Sequence, residues 1–257
     1  MARLAGPPTG DDLRRLLGAE GVSPGTFLGL ATPVAAEVAG LAGAQWVVLD
    51  LEHGGVTADQ VGPTVAAAAG YGVAVIVRVP RPERSIIGWV CDQGAAGVMV
   101  PRIDSVDQAA EVGSYLAYPP GGQRGVASYT RAAGWGSRVL TQLPRPVYMP
   151  QIETPGALAD VEQIASLDSV DAMFIGPLDL SFALGVPSQL DDPKFLEAFE
   201  RVVAAGRRNS TAVGSIAPND ERARAMKNQG VDFLALGSDG LWLRHSLSSS
   251  IEALDHS

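Results

Sequence analysis

A repeated unit constrains this chain more than any other feature: an alanine-rich amphipathic stretch, a glycine, then a short apolar run ending in polar residues. The segments AAEVAGLAGAQWVVLD, AAAAGYGVAVIVRVP, VCDQGAAGVMVPR and AMKNQGVDFLALGSD carry it most plainly. Glycine suits the left-handed position that closes a helix. Runs of Val, Ile, Leu and Met suit strands covered on both faces, as parallel sheets require. The unit is therefore a helix followed by a strand.

Strands are expected near 26–31, 45–50, 73–79, 97–101, 147–152, 171–176, 211–216 and 232–237. Strands alternating with helices in this number point to a (β/α)8 barrel, although a doubly wound open sheet shares the alternation. The 257 residues approach the roughly 250 typical of such a barrel. No linker divides the chain, so one domain over 1–257 is expected, with a helix at each end. The stretch 118–146 fits neither helix nor strand and is long enough to be a lid or a subunit contact.

A formal charge of −9 without any basic run argues against nucleic acid or an anionic membrane surface as partner. Cys91, the single cysteine, excludes an intrachain disulfide. The start, MARLAGPPTGDDLRR, lacks the apolar core of a signal peptide, and no apolar run approaches the roughly 18 residues of a membrane span. A cytoplasmic protein with a small-molecule site is the expectation.

Barrel enzymes carry their chemistry where strands end and loops begin. The second expected strand ends in Asp50, Glu52 and His53, the third in Arg78, the fifth in Gln151 and Glu153, and the sixth leads to Gly176, Pro177, Leu178 and Asp179. Taken singly, Glu153 and Asp179 read equally well as acids beside helix starts. Together, ending adjacent strands, they can converge on a hard divalent cation such as Mg2+ or Mn2+ that leaves positions open for water and substrate oxygens.

Asp50 precedes His53 by three residues, a spacing that could let its carboxylate orient the imidazole as a general base. A turn-forming acid and an ordinary loop histidine are the plainer alternative. His245 and His256 fall in the C-terminal helical region and look ordinary. Arg78 interrupts AVIVRVP, so its guanidinium should point into the barrel mouth toward a carboxylate or a developing oxyanion, unless it forms a structural ion pair with Asp50 or Glu52. Arg102 reads as a surface residue at a helix start.

Two absences narrow the reaction. Lysine occurs only at Lys194 and Lys227, both in expected helices, so a Schiff-base mechanism has no placed nucleophile. No glycine-rich phosphate loop follows a strand. What remains is metal-assisted acid–base chemistry on a small, oxygen-rich substrate.

The segments VVLDLEHGG, VIVRVP, GAAGVMVPRIDS, YPPGGQRGV, PQIETPGAL and FIGPLDLS together resemble the HpcH/HpaI family of metal-dependent 2-oxo-acid aldolases, over about residues 24 to 245. That family includes 4-hydroxy-2-oxoheptanedioate aldolase and 2-dehydro-3-deoxyglucarate aldolase. The resemblance implies a barrel of the phosphoenolpyruvate/pyruvate type. It also implies a divalent cation (Mg2+ or Mn2+, with Co2+ a further candidate) and reversible cleavage of a 4-hydroxy-2-oxo acid to pyruvate, or a close 2-oxo acid, and an aldehyde through a metal-bound enolate.

Carried over by position, the resemblance makes Glu153 and Asp179 metal ligands and lines the site with Gln151. It makes His53, paired with Asp50, the base, and has Arg78 hold the 2-oxo oxygen. Glu52 supports the metal's water shell. The backbone N–H groups of Leu178 and Asp179 meet the pyruvate carboxylate, since Pro177 cannot donate. Arg124 matches a loop arginine that contacts substrate. The resemblance also implies a homo-oligomer, a hexamer built from trimers or dimers that exchange C-terminal helices, in which an acid at the position of Asp92 reaches a neighbouring site. Leu241, Leu243, Leu247, Ile251 and Leu254 suit that packing as well as they suit an ordinary eighth barrel helix.

Three rivals follow. A relative resembling macrophomate synthase would decarboxylate oxaloacetate and join the product to a partner. A citryl- or malyl-CoA lyase would need a basic groove for its nucleotide, and the sequence offers no cluster suited to one. A silent barrel serving as a scaffold would have lost its acids, and all of them are present.

Overall fold

A computed structural model describes residues 6–30 and 32–255; His256 lies outside them. Eight parallel strands, β1 (Ser23–Leu28), β2 (Trp46–Asp50), β3 (Ala74–Arg78), β4 (Gly97–Val100), β5 (Val147–Ile152), β6 (Ala172–Ile175), β7 (Ala212–Ala217) and β8 (Phe233–Ser238), close into a barrel in sequence order. The helices lie between them in sequence, so the chain is a (β/α)8 barrel. Among the described residues no helix is long and apolar enough to cross a membrane.

Two apolar layers follow from the two-residue period of a strand. Trp46 and Val48 of β2, Ala74 and Ile76 of β3, Val147 and Met149 of β5, and Phe174 of β6 belong to the cluster that fills the barrel, while Val47, Leu49, Val75, Val77 and Ile175 pack outward against the helices. The helix Gly10–Leu17 closes the amino-terminal end, contributing Leu13 and Leu17 to the interior cluster. Its start is fixed by a reciprocal cap in which the Thr9 hydroxyl accepts from the Asp12 N–H and the Asp12 carboxylate accepts from the Thr9 N–H.

The same parity sets what comes after the apolar residues. Asp50 continues the inward row of Trp46 and Val48, Arg78 that of Ala74 and Ile76, and Gln151 and Glu153 that of Val147 and Met149. The charged and amide side chains of these strands thus enter the barrel at its carboxyl end, while at the amino-terminal end of β1 the Ser23 hydroxyl accepts from the Trp46 indole N–H.

The first strand begins earlier than the expected 26–31, whose last residue, Ala31, is outside the described set. Ser23 donates its N–H to the Asp232 carbonyl at 3.0 Å, and the Pro24 carbonyl accepts from Gln45 at 2.9 Å, so a segment that looks like a turn is paired on both sides. After Leu28 the chain leaves the sheet because the Asp239 carboxylate takes the N–H groups of Gly29 and Leu30, at 2.9 and 3.1 Å. Gly25 faces the indole of Trp46 so closely that a Cβ there would overlap the ring. Gly25→Ala should cost about 1–3 kcal/mol of stability through overpacking, seen as a lower urea midpoint at unchanged m-value.

The segment 118–146 carries only two short 3-10 turns, Gly134–Gly136 and Leu140–Gln142, as its composition suggested. The last helix, Asp239–Asp255, does not behave as an ordinary eighth helix: Trp242, Leu243, Leu247 and Ile251 are exposed.

Candidate active site

At the carboxyl end of the barrel the second and third strands meet in register, with Asp50 beside Arg78. Arg78 donates Nε to Asp50 Oδ1 at 2.8 Å and Nη2 to Oδ2 at 2.7 Å, a two-pronged pair. Its third nitrogen, Nη1, lies 3.3 Å from Glu52 Oε2. Beneath it, the ring of Phe27 stands 5.1 Å from the guanidinium carbon. Burial alone would push the Asp50 carboxyl up, but the Arg78 fork and the N–H groups of Glu52 and His53 outweigh it, so the group sits below the ordinary carboxylate range.

This geometry corrects one expectation. The oxygens of Asp50 are taken by Arg78 and by backbone N–H groups, and its carboxylate does not orient the His53 ring. His53 stands largely exposed, with Nε2 3.7 Å from Glu52 Oε1. A carboxylate already engaged by a guanidinium and two N–H groups has little left to offer an imidazole.

Glu153, just past β5, is 6% exposed. Its Oε1 accepts the Arg102 N–H at 2.8 Å and its Oε2 accepts from Gln151 Nε2 at 2.8 Å. Gly176, at the end of β6, makes room for it: a Cβ there would stand 2.5 Å from Glu153 Oε2. Asp179 lies in the first turn of the helix Pro177–Ala183, whose start leaves the N–H groups of Leu178 and Asp179 without intrahelical acceptors. Burial pushes the Glu153 carboxyl up to about 7; the Arg102 N–H opposes this, Asp179 and Glu52 add to it, and Arg78 opposes it. Glu52 is raised too, first by burial.

Three acids crowd one mouth whose near cation, Arg78, is already committed to Asp50 and Glu52. That surplus of negative charge, with a buried carboxylate cradled at a glycine, fits a bound cation. Among the described residues no group of three or more His, Cys, Asp or Glu could hold a metal ion, so Glu153 and Asp179 would leave the other positions to water and substrate.

The raised Glu153 has a measurable consequence. Its proton is held more tightly folded, at about 7, than at the ordinary 4.5. The stability it contributes is therefore full below pH 4.5 and is lost as pH rises through about 7. The melting temperature of chelator-treated protein should fall across that window, and Glu153→Gln should flatten the fall.

Arg124 and Asp92 are not in this mouth. The helix Arg84–Asp92 runs from β3 back to the start of β4, which puts Asp92 at the opposite end of its own barrel. Arg124 is buried there, donating Nη2 to Asp92 Oδ1 at 2.8 Å and lying over the Tyr118 ring at 4.6 Å. It cannot touch a substrate in its own chain's mouth.

Residues 24–246 match the family model described as HpcH/HpaI aldolase/citrate lyase. The chain belongs to this family. Similar members include a hydroxypyruvate/pyruvate aldolase of Delftia acidovorans, 33% identical over 231 residues that cover 88% of this chain and 86% of that one. A 5-keto-4-deoxy-D-glucarate aldolase of Klebsiella pneumoniae is 34% identical over 226 residues, covering 87% and 88%. Among solved structures, an HpcH/HpaI aldolase/citrate lyase family protein of Burkholderia cenocepacia superposes with a TM-score of 0.91 at 30% identity, covering 96% of this chain and 100% of that one. Family members of these names are carbon–carbon lyases, and the chain is an enzyme of that class.

Two site features escaped the sequence reading. Arg102 is exposed, as expected of a surface residue, but its backbone N–H binds Glu153. Phe27, read only as strand, stacks on Arg78. The inward parity of Phe27 was available as a signal; nothing in the sequence marked Arg102.

Proposed function

We propose that this chain is a cytoplasmic, divalent-metal-dependent aldolase that reversibly cleaves a 4-hydroxy-2-oxo acid to pyruvate or hydroxypyruvate and an aldehyde. The observation that carries the reading is the buried, glycine-cradled carboxylate of Glu153 beside Asp179, in a chain of an aldolase family. The Delftia relative's name supports pyruvate or hydroxypyruvate as the donor, and the Klebsiella relative's name supports a polar, hydroxylated acid as the substrate of cleavage.

Glu153 and Asp179 hold Mg2+, Mn2+ or Co2+, with Glu52 supporting its water shell. When bound, the cation supplies Lewis acidity worth several kcal/mol to negative charge on the 2-oxo oxygen. Arg78 adds a fixed positive charge at the same oxygen, held in place by the Asp50 fork. Asp50 is therefore a positioning group for Arg78. The free N–H groups of Leu178 and Asp179 receive the substrate carboxylate, and Gln151 holds Glu153 in its plane. His53, exposed to incoming substrate and beside Glu52, takes the 4-hydroxyl proton, a role worth about 10²–10⁴-fold.

The enzyme works as a homo-oligomer, a trimer or hexamer. The exposed apolar row of the helix Asp239–Asp255 supports this, as does the adjoining groove of about 700 Å³ lined by Leu28, Leu30, Val34, Val38, Trp242 and Leu243. A helix from a neighbouring copy covers such a face, and Asp92, held by Arg124 in its own chain, is the acid that meets a neighbour's mouth. The pair of changes Leu243→Asp and Ile251→Asp should yield a smaller species by light scattering.

A panel of aldehydes with pyruvate or hydroxypyruvate and Mn2+, beside oxaloacetate and an acyl-CoA, tests the reading. Metal-dependent aldol addition is expected. Turnover of the acyl-CoA alone, or of oxaloacetate alone, would replace it with a lyase or decarboxylase assignment.

A further inference from the structure

Arg102 follows β4 and its neighbour Pro101, with φ at +56°, in the left-handed region that an L side chain seldom adopts. Residues held there without glycine persist where the surroundings over-determine them, and they gather at working sites. The surroundings here are specific. The Thr154 hydroxyl donates to the Ile103 carbonyl at 2.8 Å, and the Asp160 carboxylate accepts the Val106 N–H at 2.9 Å. Two ties from the loop and helices after β5 therefore hold the loop after β4.

The left-handed turn delivers one group to the mouth: the Arg102 N–H, 2.8 Å from Glu153 Oε1. Its own side chain is exposed and has no hydrogen bond or ion pair among the described residues. The residue's use is in its backbone. The other oxygen of Glu153 is held by Gln151 Nε2 at 2.8 Å. One donor on each oxygen fixes the carboxylate's plane and leaves each oxygen further lone pairs to offer.

Resting on the metal-binding role given above to Glu153, we infer that the strained backbone of Arg102 is a positioning device for this ligand, set by the left-handed turn and not by the arginine side chain. Groups that hold a metal ligand in place change affinity by about 10–100-fold when removed. An ester in place of the amide joining Pro101 to Arg102 removes the N–H and keeps the side chain.

The experiment is Mn2+ binding, followed calorimetrically on the intact assembly, with the melting temperature of the chelated protein measured alongside. The ester should weaken Mn2+ binding by about 10-fold or more. Arg102→Gly keeps the N–H and relaxes the turn, so its affinity should stay within about twofold of the parent. Arg102→Val, whose branched side chain resists the left-handed region, should weaken binding and is rescued by glycine at the same position. An ester protein that binds Mn2+ as the parent does would overturn the inference while leaving the metal site intact. So would an Arg102→Gly protein as weak as Arg102→Val. A parent that binds no Mn2+, or binds it undisturbed by Glu153→Gln, would overturn this inference and the metal role of Glu153 together.

Discussion

Replacing Arg78 with methionine is expected to lower aldol turnover by about 10²–10³-fold, the usual cost of losing one fixed donor to a developing oxyanion. Stability should fall as well. Arg78 occupies both oxygens of Asp50, which is 6% exposed, and a buried carboxylate robbed of its partner costs about 3–5 kcal/mol. The two losses separate in a second variant. Asp50→Asn combined with Arg78→Met removes the stranded charge, so it should regain much of the stability and none of the activity. Recovery of activity in the double variant would make Arg78 a structural ion pair only. Arg78→Lys should rescue little, because an ammonium cannot span both oxygens of Asp50 while also reaching Glu52.

The pair shows where sequence reading reaches and where it stops. That Asp50, Arg78, Gln151 and Glu153 enter one mouth follows from alternation along strands whose apolar residues are unmistakable. Which of them touch does not follow, because the register of neighbouring strands is set by packing and by closure of the barrel. Local spacing suggested Asp50 with His53. Register instead sets Asp50 directly beside Arg78, and the guanidinium fork claims the carboxylate.

Arg124 lies away from its own chain's mouth for a related reason. Its motif is legible, but the path of residues 118–146 is made of irregular turns whose course no periodicity encodes. That path buries Arg124 against Asp92 at the far end of the barrel. Arg102 was invisible because arginine is a poor marker of a left-handed turn; glycine or asparagine there would have announced one. The start of β1 was missed because Ser-Pro-Gly reads as a turn wherever it stands free of a sheet.

Glu153→Gln is expected to have the largest effect on the enzyme. Glutamine keeps the shape and can still accept the Arg102 N–H, but it loses the charge that a divalent cation requires. Its donating end would also face Gln151 Nε2 or the cation itself. Metal-dependent turnover should drop by more than about 10³-fold, corresponding to the several kcal/mol a Lewis acid supplies. Chelated Glu153→Gln protein should nevertheless be at least as stable as the parent near pH 7, since burial already disfavours the ionised carboxyl there. A variant both inactive and unstable would assign Glu153 a structural role.

On the proposed mechanism this mouth enolises a 2-oxo acid with the help of a cation held by Glu153 and Asp179. Exchange of pyruvate's methyl protons for deuterium, followed by proton NMR without any aldehyde present, tests it most directly. The methyl signal should decay with the parent enzyme and Mn2+, persist when EDTA is added, and persist with Glu153→Ala. Exchange that is indifferent to EDTA, or that survives Glu153→Ala, would contradict the account.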